Sequence, residues 1–188
     1  MRRWTLTVIL LLGLAEFGYG AWIPAKAWLS QVLLEQAWAE TRASNKPHKP
    51  WPWADTWPLF RLQHTQTDTS LIVMASDSGQ SLAFGPGHMT HSRQPGGPGN
   101  IVISGHRDTH FRFLKSVRHG ETIQLTDNKG VIHAYRIFSA QIVNANHRKI
   151  QLDTEDEQLT LVTCYPFDAI EQSDDRYLVL ATKKVSEV

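Results

Sequence analysis

The stretch Glu121–Val143, ETIQLTDNKGVIHAYRIFSAQIV, decides the fold class. β-Branched and apolar residues flank Asp127-Asn128-Lys129-Gly130, and Asn and Gly are the residues that tolerate positive φ in a tight turn. The segment reads as a hairpin joining strands over 121–126 and 131–143. In the second strand Val131, His133, Tyr135 and Ile137 alternate with Ile132, Ala134, Arg136 and Phe138. Both sets are mixed, as expected of a strand with one face in a barrel and the other partly covered.

Working outward, similar runs bounded by Gly, Asp and Asn predict strands over 58–64, 70–76, 80–84, 99–105, 157–164 and 176–183. Only His110–Val117 reads as a helical turn. Eight short strands, with no internal repeat and no strand–helix alternation, predict an all-β closed barrel or sandwich. The whole chain has 188 residues, 41% of them apolar, which suits one globular domain and a modest extension. A net charge of +1 argues against a protein that neutralises many phosphates. A single cysteine excludes an intrachain disulfide framework, a CxxC redox pair and a Cys-rich zinc module.

The N-terminal part is physically different. All seven tryptophans lie at or before Trp57, and residues 1–50 carry six bases and three acids against 13 and 15 in the remainder. Residues 4–25 hold one charge, Glu16, and follow Arg2-Arg3. Trp4 and Trp22 stand 18 positions apart, about 27 Å along a helix, which is near the hydrocarbon thickness of a bilayer. The expectation is a transmembrane signal anchor over 1–25 with its N-terminus in the cytoplasm; a cleavable signal peptide is the alternative. A second helix is expected over 26–44, opened by Pro24, with Ala25, Trp28, Leu29, Val32, Leu33 and Ala39 on one side. The Pro- and Trp-rich segment 45–56 reads as a stiff, extended linker, and 57–188 as the exported domain.

Three segments carry chemistry: Asn100-Ile-Val-Ile-Ser104-Gly-His106-Arg-Asp-Thr, Leu159-Thr-Leu-Val-Thr163-Cys164-Tyr-Pro-Phe, and Asp175-Arg176-Tyr-Leu-Val-Leu. Each key residue sits at a strand end, where a barrel can gather side chains at one rim. A thiolate attacks a peptide carbonyl, an imidazole protonates the departing amine, and a guanidinium stabilises the oxyanion. Each residue alone also fits a plain role: a packed cysteine, a junction histidine, and an arginine paired with Asp174 or Asp175. The Gly- and Pro-rich run Gly85–Asn100 lacks the Gly-Lys-Ser/Thr ending of a phosphate loop. In it, His88 and His91 have no third ligand at a diagnostic spacing and read as a solvated loop. Asp153, Glu155, Asp156 and Glu157 read as a solvated acidic turn, with calcium binding the alternative.

Together the three segments resemble the sortase family of membrane-anchored cysteine transpeptidases. Thr160-Leu-Val-Thr163-Cys164 is similar to the family's Cys signature, Gly85 to Thr109 to the His-bearing block of class D and class E members, and Arg176-Tyr-Leu-Val to the Arg strand. The resemblance covers residues 57–184 in the family's order. It implies an eight-stranded sortase-type barrel with His106 as acid/base, Cys164 as nucleophile and Arg176 as oxyanion stabiliser. It further implies Thr163, Ser104 and the 144–157 loop at the substrate groove, and no cofactor or resident metal. The implied partner is a protein with an LPxTG-like C-terminal sorting signal, cut between Thr and Gly through a thioacyl enzyme and passed to an amine acceptor. The implied location is a single-pass anchor in the cytoplasmic membrane with the barrel outside, of the proteobacterial type. Rival readings are a peptidase that hydrolyses the same signal and a non-enzymatic anchored β-domain.

Overall fold

A computed structural model of the chain describes residues 2–169, 171 and 173–184; the outermost residues of the expected anchor and domain, 1 and 185–188, lie outside it. Eight strands close a barrel: β1 (Pro58–His64), β2 (Thr69–Met74), β3 (Gly87–His88), β4 (Gly99–Ser104), β5 (Thr122–Thr126), β6 (Ile132–Asn144), β7 (Glu157–Cys164) and β8 (Asp175–Lys183). They run round the barrel in the order β1-β2-β3-β4-β7-β8-β6-β5. The 121–143 hairpin forms as expected, with β5 antiparallel to β6. At its turn the Asp127 carboxylate accepts from the Lys129 and Val131 backbone N–H groups, both at 2.9 Å, and Gly130 takes φ 83°.

Inward-facing residues from every long strand fill the barrel, among them Leu62, Val73, Ile101, Ile103, Ile123, Tyr135, Leu159, Leu161 and Val179. Phe111 and Leu114, on the turn that follows β4, plug one end. The mixed patterning of β6 resolves in the same way. Tyr135 and Ile137 point inward, and Ile132 and Phe138 stay exposed.

One expected strand is absent. Residues 80–84 begin inside a helical turn, α2 (Gly79–Leu82), whose N-cap Ser78 accepts a hydrogen bond from the Ser81 N–H. Five residues, Gln80-Ser-Leu-Ala-Phe84, are too few for periodicity to separate strand from helix. The eighth strand is instead β3, whose two residues pair parallel with β2 and antiparallel with β4. His88 there is buried, its Nε2 lying 2.9 Å from the Arg93 carbonyl oxygen, so it is a packed group and not part of a solvated loop.

The N-terminal region also departs from expectation. A single helix, α1 (Arg2–Ser44), runs through position 24 without a second start. Among the described residues no helix is long and apolar enough to cross a membrane. The C-terminal half of α1 docks on the barrel through Leu34 and Trp38, which pack with Ile72, Met74 and Phe84. Ser30, Leu34, Ala37, Trp38 and Thr41 form the buried stripe, while Trp28, Leu29 and Val32 of the predicted stripe are exposed. An ion pair between Glu35 and Arg61 and a 2.9 Å bond from Gln31 to the Phe84 carbonyl fix the docking.

The 45–56 segment is folded back, not extended. Asn45 takes φ 53° at the helix end, the His48 N–H bonds Thr41, and Trp51 packs edge-on against Phe84 at 4.8 Å. Ala54 and Thr56 are buried. Three prolines stiffen the segment, but the apolar indole and the helix-end turn bring it back onto the barrel.

At the end of the barrel away from Cys164, Glu157 accepts from the Tyr135 hydroxyl and the Lys183 ammonium, both at 2.6 Å, and from the Gly96 N–H at 3.2 Å. Burial pushes its carboxyl up, but Lys183, Tyr135 and Gly96 outweigh that and hold it below the usual carboxylate range. A depressed folded-state pKa contributes stability above the ordinary carboxylate range that is lost as pH falls through the folded value. Glu157→Gln is expected to cost about 1–3 kcal/mol at neutral pH. In urea unfolding, the gap between the two proteins should close as pH falls through the acid range.

Candidate active site

Two ladders assemble the site. β4 runs parallel to β7 with Ser104 opposite Val162, and β7 runs antiparallel to β8 with Cys164 opposite Arg176. The Gly105 N–H continues the first ladder by bonding the Val162 carbonyl at 3.0 Å. Carried two positions beyond Ser104, that register would put His106 opposite Cys164. The ends of β4, β7 and β8, at or next to which His106, Cys164 and Arg176 stand, lie side by side at one rim. Cys164 and Arg176 are half-buried and His106 is exposed.

The backbone around His106 is held from three sides. The Thr163 hydroxyl donates to the Gly105 carbonyl at 2.7 Å, and the Phe111 N–H donates to the His106 carbonyl at 2.9 Å. The third constraint is steric. A Cβ at Gly105 would stand 2.8 Å from the Phe111 ring, so only glycine lets the ring close beneath the histidine. Thr163 is 2% exposed. It therefore positions the strand end rather than lining an open groove, whereas Ser104 is half-buried on the Cys164 side of the ladder.

Arg107, which sequence reasoning passed over, ties the His106 turn to the β7–β8 loop. Its Nη2 donates to the carbonyls of Ala169 at 2.7 Å and Glu171 at 2.9 Å. The same loop is fixed by the Lys115–Asp168 pair at 2.5 Å and by Tyr165, Phe167 and Tyr177, whose rings pack together. Arg176 is held by its own neighbours, Nη1 donating to the Ser173 carbonyl at 2.7 Å and the Asp175 carbonyl at 2.9 Å. His110 lies near His106; burial, then the charge on His106, pull its pKa below the ordinary imidazole value, against the pull of Asp108.

Successive β7 side chains alternate between core and outer face, so Thr160 and Cys164 share a face, roughly 13 Å apart. On that face a groove of about 260 Å³ runs over β4, β7 and β8, lined by Asn100, Thr160, Leu178 and Leu180 and covered by Lys149 and Gln151 of the 145–156 loop. Asn100 builds it. Its amide donates to the Gln151 carbonyl at 2.8 Å and accepts from the Thr160 hydroxyl at 2.9 Å, which locks the loop to the sheet. Of the nearby acidic residues, Asp153 pairs with Arg93 at 3.0 Å and Glu157, the first residue of β7, joins the network described above. Among the described residues no three His, Cys, Asp or Glu side chains converge as a metal site.

A thiol, an imidazole and a guanidinium at one rim can perform covalent acyl transfer without a metal or cofactor. Comparison with known proteins agrees with this class. The Sortase domain family matches residues 62–184, and the chain belongs to the sortase family. It is 33% identical over 119 residues to Sortase D of Bacillus subtilis, covering 63% of this chain and 60% of that protein. The chain thus spans less than two thirds of that relative's length. Sortase A from Corynebacterium diphtheriae superposes with a TM-score of 0.64 at 25% identity, over 72% of this chain and 64% of that one. A Clostridium perfringens Sortase D5 transpeptidase superposes at 0.67 and 19% identity, over 84% of this chain and 99% of that one, a likeness of fold.

Proposed function

We propose that the protein is a cysteine transpeptidase that cleaves an LPxTG-like C-terminal sorting signal between Thr and Gly and passes the acyl group to an amine. The supporting observation is the pair of ladders that sets Cys164 opposite Arg176 and ends β4, two residues before His106, alongside β7, on the face that carries the Asn100–Leu180 groove. The peptide N-terminal to the scissile bond lies in that groove. Cys164 attacks the Thr carbonyl, Arg176 meets the oxyanion, and His106 gives a proton to the departing glycine amine. Incubating the full chain with sorting-signal peptides is expected to add one acyl mass to Cys164 in an intact-mass spectrum. Added amines then separate transfer from hydrolysis, and no adduct with any such peptide would refute the reading.

Thr163 sharpens the test. Thr163→Val keeps the shape but leaves the buried Gly105 carbonyl unpaired and frees His106 to shift. The expected result is acylation slower by about tenfold to a hundredfold, recovered in Thr163→Ser. Equal rates in all three proteins would assign Thr163 to packing alone.

We further propose that residues 4–25 anchor the chain in the cytoplasmic membrane with the barrel on the extracytoplasmic side. Support comes from Arg2-Arg3 before a stretch with one charge, and from the exposed indoles of Trp4 and Trp22. A membrane-impermeant maleimide applied to intact spheroplasts should label Cys164. Labelling only after lysis would invert the topology.

A further inference from the structure

A second and larger recess lies on the other side of His106. It is a cleft of about 1220 Å³ between α1, the returning 51–56 segment, α2 and the His106–His110 turn. Its wall is apolar, made by Trp28, Leu29, Leu33, Trp51 and Phe84. Trp28 is 69% exposed and Leu29 49%, unusual for large side chains lining a recess that α1 and the barrel already define. Polar side chains line it as well, among them Ser30, Gln31 and Gln80. Asp55 and Asp108 are exposed carboxylates on the lining, joined by the exposed imidazole of His106 and the half-buried one of His110. The lining lysine, Lys26, holds its ammonium over the Trp22 ring at 5.8 Å. Thr56 also lines the cleft; it is 3% exposed, and its hydroxyl has no hydrogen-bond partner among the described residues. A buried hydroxyl without a partner costs free energy unless a ligand completes it.

We propose that this cleft is the acceptor site of the transfer reaction, taking a primary amine carried on an apolar body. The body packs against Trp28, Leu29, Trp51 and Phe84, and the amine lies at the His106 end beside Asp108. This rests on the thioacyl reading above. The groove over β4, β7 and β8 holds the acyl side, so the nitrogen must approach from the imidazole side, and the cleft is the recess that His106 lines. Charge complementarity selects an amine: the carboxylates of Asp55 and Asp108 attract an ammonium ion as it enters.

The step balances with these groups. The ammonium gives one proton to solvent on arrival. The free amine nitrogen attacks the thioester carbonyl and passes its second proton to neutral His106. The C–N bond forms, the C–S bond breaks, and Cys164 leaves as the thiolate beside imidazolium.

The test is to acylate the full chain with a sorting-signal peptide and resolve the adduct with ethylamine or hexylamine, which are equally basic. Four more buried methylenes predict a KM for hexylamine lower by at least about tenfold. Leu29→Asp should abolish that preference, and Asp108→Asn should raise KM for both amines. If the adduct forms and both amines resolve it with equal KM, the acceptor site is refuted while the transpeptidase reading stands. If instead only peptides with apolar residues after the cleaved bond acylate faster, the cleft holds the leaving segment and the proposal fails. Absence of any adduct overturns both readings.

Discussion

Replacing Cys164 by alanine is expected to abolish the thioacyl adduct completely. The chain has one cysteine, so no second thiol can substitute. The change removes a single sulfur from a half-buried position at the end of β7 and touches none of the ladder hydrogen bonds. Stability should move by less than about 1 kcal/mol, small beside the loss of the nucleophile. The thiolate is the attacking species and alanine offers no group that can form a thioester in its place. Intact mass after incubation with a sorting-signal peptide checks the result, with urea unfolding as the control for folding. Full adduct in Cys164→Ala would place acylation on another residue and remove the basis of the mechanism.

Much of this site is legible in the sequence because β-structure converts order into proximity. Three strand-end residues, 58 and then 12 positions apart, become neighbours once β4 pairs with β7 and β7 with β8. The 121–143 hairpin is equally direct, since its turn residues and its alternation are local signals. What depends on distant partners is hidden. The buried face of α1 is chosen by Ile72, Met74 and Phe84, not by its own period, and so Leu34 and Trp38 win over the better-patterned Trp28 and Leu29. β3 is two residues long, and both of its partners lie elsewhere in the chain. The prolines of 45–56 predict stiffness but not direction, and the cleft beside His106 exists only because that segment turns back. Thr163 carries a different lesson. Its place in the motif suggests contact with substrate, whereas its hydroxyl is committed to Gly105.

Arg176→Ala is the second large effect expected, a fall in rate of about 10²–10³ with the fold retained, or about 2.7–4 kcal/mol of transition-state stabilisation. Two roles must be separated. The guanidinium lies at the strand position opposite Cys164, where it can meet a developing oxyanion, yet its Nη1 also holds the Ser173 and Asp175 carbonyls. Loss of an interaction made only in the transition state lowers kcat and kcat/KM equally, whereas a displaced β7–β8 loop would raise KM. Lysine discriminates further. Arg176→Lys keeps a cation but not the planar fork that bonds two carbonyls, so it should recover part of the rate if charge on the oxyanion dominates. Were loop support the whole role, lysine and alanine would be equally slow. Turnover unchanged in Arg176→Ala would instead return this residue to a surface contact with its own loop, and leave Cys164 and His106 as a dyad without an electrostatic partner.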